Sequence, residues 1–134
     1  MAAPLLALGD EQFVSLTTFR RTGVGVATPV WVGRYEGPEG PFLVVTTIST
    51  TGKAKRIRND PHVTLVPCTR RGEVAPGAVP VDGAAVLVTD PTRVSELGAV
   101  LLRKYGLPFR LLTLVGRLPR KNPGDRVMLK IRPA

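Results

Sequence analysis

Histidine and cysteine are almost absent: the chain holds one of each, His62 and Cys68. A lone Cys forms no intramolecular disulfide, and with a lone His it cannot complete a zinc site, so no metal is expected. No apolar run approaches the roughly 18 residues that a membrane-spanning helix needs, so no membrane span is expected. The N-terminal MAAPLLALGDEQ lacks the charged start of a secretory signal and is too short for one; the cytoplasm is the expected compartment. Aromatic residues make up only 5%, and no strand carries the paired stacking aromatics of a single-strand nucleic-acid platform. The scattered carboxylates pair locally with neither His62 nor Cys68. This argues against a protein-only hydrolase, and no residue is assigned as catalytic. If the chain is an enzyme, a cofactor carries the reaction and the protein supplies position and electrostatics.

Acidic residues are scarce beside basic ones: 10 Asp and Glu against 19 Lys and Arg, a formal charge of +9. Such a balance favours anionic partners: nucleic acid, an anionic membrane face or a polyanionic small molecule. A merely basic surface is the plainer alternative. The 134 residues fit one domain spanning 1–134, and a hydrophobic share of 43% fits a globular core. The 14 Gly and 13 Pro are dispersed, so they punctuate many short elements.

Read in order, Leu5, Leu6 and Leu8 suggest a short helix or arm. Phe13 to Phe19 (FVSLTTF) reads as a strand and Arg20 to Gly23 as a hairpin turn. Val24 to Tyr35 reads as one second strand, in which Pro29 implies a bulge or an edge position because it cannot donate to a ladder. Phe42 to Ser49 is apolar on both faces until Thr46 and Thr47. A short basic helix, Lys53 to Asn59, follows. Strands are expected at His62 to Cys68, Val81 to Thr89 and Asp125 to Arg132, with a loop at 69–80. Asp90-Pro91 starts a helix whose inward face is Val94, Leu97, Leu101 and Tyr105, ended by Gly106 and Pro108. Phe109 to Leu118 reads as helix or loop. About six antiparallel strands with few helices predict a small β-barrel.

The stretch Thr46 to Pro61, TTISTTGKAKRIRNDP, packs Lys53, Lys55, Arg56 and Arg58 behind a turn of hydroxyl residues. Hydroxyls and Gly52 before a helix start offer free N–H groups to an anion, and Lys53 and Arg56 share a helix face. The spacing is not that of a Walker A loop. A solvated basic helix with an ordinary hydroxyl cap reads equally well from the local chemistry. Trp31 could stack on a ring system or simply pack in a core or interface.

Four segments, FVSLTTFRRTG, ATPVWVG, GKAKRIRNDPHVTLVPCTRRG and LLRKYG, resemble the pyridoxamine-phosphate-oxidase-like split β-barrel superfamily. The likeness is nearest to its actinobacterial branch of F420-dependent oxidoreductases. The resemblance implies a six-stranded antiparallel split barrel and a homodimer with two cofactor sites at the interface. It implies hydride transfer from reduced coenzyme F420 to a small organic acceptor, with FMN as the alternative cofactor. A non-catalytic F420 carrier and, last, a basic nucleic-acid-binding barrel are the other readings. By position the resemblance makes Lys53 the phosphate lysine, while Gly52 stands where FMN-binding relatives carry Arg. It sets Thr28, Pro29, Val30 and Trp31 beside the ring, and Thr46, Thr47 and Ile48 along the ring's polar edge. Ser49 and Thr51 join the phosphate segment, and Lys55 and Arg56 add charge near the tail. Arg58, Arg70 and Arg71 suit the larger polyanion. Tyr105, Arg110 and Arg117 are candidates to complete the site from a partner subunit.

Overall fold

A computed structural model describes residues 2–49, 51–106 and 126–134. Helix α1 (Ala2–Ala7) runs into a 3-10 turn (Leu8–Asp10), and Leu5 and Leu8 pack into the interior cluster. The strands are β1 (Phe13–Phe19), β2 (Gly25–Trp31), β3 (Gly33–Tyr35), β4 (Phe42–Ile48), β5 (His62–Pro67), β6 (Val81–Val88) and β7 (Arg126–Pro133). Helix α2 (Gly52–Asn59) lies between β4 and β5, and α3 (Pro91–Tyr105) follows β6. The expected segments at 107–124, with Arg110 and Arg117, lie outside the described residues.

All pairings are antiparallel, in the order β2-β1-β5-β6-β7-β4-β3. The two edge strands of that order, β2 and β3, are separated in sequence by Val32 alone. Consecutive Cα atoms are about 3.8 Å apart, so the edges must meet and the sheet must curl into a half-barrel. The fold class is the one the sequence predicts, with seven strands in place of six. The extra strand comes from dividing the expected Val24–Tyr35 strand at Val32. There the backbone N–H donates to Tyr105 Oη (3.1 Å), and the C=O accepts from Lys104 Nζ (2.7 Å). These partners lie more than seventy positions away in the chain, so local pattern cannot announce the break.

Pro29 sits on an edge strand, where its missing N–H is tolerated. It makes no bulge: the register against β1 runs unbroken from Phe13↔Trp31 through Ser15↔Pro29 to Phe19↔Gly25. The hairpin turn is as expected, with Gly23 at φ 88° and Arg20 N–H donating to the Val24 carbonyl. Strand β4 is buried on both faces for two reasons. Leu43 and Val45 point into the barrel, while Phe42 and Val44 lie beneath Leu97 and Leu101 of α3. Asp90 caps α3 by accepting from Arg93 N–H at 2.9 Å, and Gly106 ends it at φ 65°. The inward face of α3 is the predicted one, with Leu97 and Leu101 fully buried and Val94 and Tyr105 partly so. On α2, Ala54 and Ile57 turn inward, which leaves the cations to the outer face and the helix start.

Candidate functional site

A cleft of about 580 Å³ opens where β2 ends against the start of β1. Its lining comes from five places. Pro29, Val30 and Trp31 come from β2, Gln12 and Phe13 from the entry to β1, Thr46 from the end of β4, and Lys53 and Arg70 from α2 and the loop after β5. The volume is within the usual range of small-molecule pockets. Five of the sequence candidates therefore meet in one place: Pro29, Val30, Trp31, Thr46 and Lys53.

The other candidates are placed differently. Thr28 lies opposite Leu16, and its hydroxyl is buried without a hydrogen-bond partner among the described residues. Thr47 and Thr51 join hydroxyl to hydroxyl at 3.1 Å, and Thr51 Oγ1 donates to the Ile48 carbonyl at 2.9 Å. The Ser49 carbonyl accepts from Arg58 Nη1. Lys55 is exposed. Arg56 folds back along α2, donating from Nε to the fully buried Thr18 hydroxyl at 2.6 Å. Its guanidinium lies against Gly52, where an added Cβ would fall 2.5 Å from Arg56 Nη1. The missing side chain at 52 is thus matched by a cation delivered from one turn later.

The start of α2 retains donors for an anion. Thr51 Oγ1 accepts from Ala54 N–H, and Thr51 N–H donates to the Ile48 carbonyl. The N–H groups of Gly52 and Lys53 are the first-turn donors with no partner among the described residues. The Lys53 ammonium is held below the usual lysine range, first by burial and then by the charge of Arg56. Among the described residues, the ion pairs involve Arg34, His62, Arg93 and Lys130; Lys53, Arg56 and Arg70 join none of them. A partly desolvated ammonium next to a like charge and without a carboxylate is an uncompensated arrangement that an anion relieves.

The part of the lining that β1 and β2 supply is aromatic. The Trp31 indole stacks on the Tyr105 ring, with centroids 4.6 Å apart and planes 8° from parallel, and Phe13 tilts against it at 6.4 Å. Tyr105, named from the sequence as a candidate to complete the site from a partner subunit, stacks on Trp31 within its own chain. Sequence reasoning missed Gln12 and Phe13. The available signal was the pairing of Phe13 with Trp31 that a two-strand register requires. Arg70 was named for charge alone, and the fold gives it a place in the lining.

The chain matches no protein-family model and no curated protein sequence. Solved structures share its fold. A pyridoxamine 5'-phosphate oxidase-related, FMN-binding protein from Nostoc punctiforme aligns with a TM-score of 0.56 and 16% identity, over 91% of this chain and 70% of that one. A protein described as an F420 reductase aligns at 0.59 and 22%, over 96% of this chain and 91% of its own. The heme storage protein HutZ from Vibrio cholerae aligns at 0.65 and 14%, over 98% and 87%. At these identities the likeness is one of fold: a half-barrel shared with pyridoxamine 5'-phosphate oxidase-like proteins. No helix among the described residues is long and apolar enough to cross a membrane.

Proposed function

We propose that the chain is an oxidoreductase that binds coenzyme F420 in this cleft and reduces a small organic acceptor. The observation that carries the reading is Lys53: an ammonium with no carboxylate partner among the described residues, beside Arg56 and two N–H groups open among them, in a cleft that Trp31 also lines. One end suits a phosphate and the other a planar ring. The residues fit the group. Lys53 and the first turn of α2 hold the phosphate, Arg70 with the exposed Lys55 and Arg58 serves the anionic tail, and Pro29, Val30 and Trp31 form the ring wall. When bound, the reduced deazaflavin supplies a hydride donor. The described lining contains no carboxylate, imidazole or thiol, and no residue is assigned as proton donor.

The four sequence segments that resemble the actinobacterial F420-dependent branch support this choice, as does the fold shared with an F420 reductase. We propose further that the chain works in the cytoplasm as a homodimer, as the resemblance of those segments implies for the assembly, with the cleft completed at the interface. FMN is the second reading, favoured by the fold shared with an FMN-binding protein. The cations beyond Lys53 favour the larger polyanion, because FMN carries a single phosphate. A carrier without turnover would bind F420 and leave the reduced form unoxidised by every acceptor offered. The test is calorimetric titration of purified protein with F420 and FMN side by side at low salt. Saturable binding of F420, tighter than of FMN, is the expected result; no saturable binding of either removes the cofactor reading.

A further inference from the structure

The last turn of α3 does more than cover the sheet. Lys104 Nζ donates to the Gly9 and Val32 carbonyls, each at 2.7 Å, and to the Glu11 carbonyl. Tyr105 Oη accepts from Val32 N–H at 3.1 Å and lies 2.6 Å from the Gln12 carbonyl and 2.8 Å from that of Val32, one of which takes its proton. The Tyr105 ring lies flat against Trp31. Two adjacent side chains thus hold the 9–12 segment, the β2–β3 break and the indole. Neither lines the cleft, yet Gln12, Phe13 and Trp31, which do, are fixed by Tyr105 directly or through Trp31.

Packing alone does not call for this device. Leu97 and Leu101 already bury α3 against β4 and β7, and burial disfavours the charged form of Lys104. An apolar side chain would seat the helix without desolvating an ammonium or a phenol. What the polar pair adds is orientation: it fixes the backbone on both sides of the indole, and the phenol ring sets the indole's plane.

We propose that Tyr105 is a positioning residue for ring binding: it fixes Trp31 as one wall of the cleft, and Lys104 fixes the backbone on which that wall stands. The inference rests on the cleft being the ring site. It predicts that Tyr105 acts on the ring and not on the phosphate.

The test compares each tricycle with and without its phosphate: FMN against riboflavin, and F420 against its phosphate-free deazaflavin alcohol. Tyr105→Leu is expected to weaken binding of both members of a pair by the same factor, roughly tenfold, as expected for loss of one ring stack and its polar anchors. The ratio within each pair stays at the wild-type value. Tyr105→Phe, which keeps the ring, recovers most of the loss. Trp31 is the sole tryptophan, so its emission and its quenching by acrylamide report the stack without any ligand; both should change in Tyr105→Leu and stay near wild type in Tyr105→Phe. Folded Tyr105→Leu protein with wild-type affinities, or with unaltered Trp31 quenching, would overturn the proposal. If Tyr105→Leu does not fold, Lys104→Met takes its place, with the same proportional weakening expected and unchanged affinities and quenching overturning the proposal. If wild-type protein binds no tricycle, the cofactor reading falls on its own, and the quenching comparison still decides whether Tyr105 holds Trp31.

Discussion

Among the described residues no carboxylate pairs with Lys53, and this has two expected consequences. Lys53→Ala should weaken F420 or FMN binding by about tenfold to a hundredfold, the span of one charge-assisted hydrogen bond worth about 1.5–3 kcal/mol. It should leave the circular dichroism spectrum unchanged, because the side chain joins none of the described hydrogen bonds. The second concerns pH. Burial and Arg56 lower the Lys53 pKa, so the folded protein releases this proton at a lower pH than an exposed lysine does. Anion binding should therefore decline as pH rises through the alkaline range, beginning before an exposed lysine would titrate. Over the same interval this group adds stability to the unliganded fold, since the unfolded chain then binds more protons than the folded one. Calorimetric affinities between neutral and strongly alkaline pH check the first part, and thermal melts of free protein check the second. Affinities that are flat across this range would mean that Lys53 does not meet the anion.

At the scale of elements, α2 and α3 are both capped by a side-chain oxygen, which allows a controlled comparison. Thr51→Ala and Asp90→Ala each remove an N-cap and should each cost about 1 kcal/mol. For a chain of this size that lowers the melting temperature by roughly 3–5 °C. Only Thr51→Ala should also weaken cofactor binding, because only α2 presents its first turn to the cleft. Equal binding by the two variants would separate the helix start from the site. These helices were legible in the sequence because their signals are local: Asp90-Pro91 at one start, hydroxyls before Gly52 at the other, and a regular inward face. Strands β1, β4 and β7 were legible for the same reason. The division of β2 from β3 was not, since its cause is Tyr105 and Lys104, side chains from a different element. The same limit applies to the cleft. Lys53, Thr46 and Trp31 could be named from residue type and resemblance, whereas Gln12 and Phe13 enter only because β1 pairs with β2 in a particular register.

At the scale of the whole molecule, the ion pairs of the described residues draw on few of its cations. Arg34, Arg93 and Lys130, near α1, α3 and the β3–β4 turn, are paired with Asp10, Glu36, Glu39 or Glu96. The cations of α2 and the 69–80 loop join no ion pair among the described residues, and two of them, Lys53 and Arg70, line the cleft where the proposed polyanion binds. Exposed contacts of this kind are screened by salt. F420 affinity should fall steeply with ionic strength, while that of a phosphate-free tricycle should change little; parallel salt slopes would assign the cations to another role. The proposed homodimer predicts a sedimentation mass twice the 14.4 kDa of the chain, and a monomer at high concentration would contradict it. The claim that joins these scales is that Lys53 and Trp31 face one ligand, phosphate at one end and ring at the other. The most direct measurement is quenching of Trp31 fluorescence by F420 in wild-type and Lys53→Ala protein at low salt. Saturable quenching is expected in both, reaching the same depth, with the variant needing about tenfold to a hundredfold more ligand. Quenching curves that superimpose, or no saturable quenching in wild type, would contradict it.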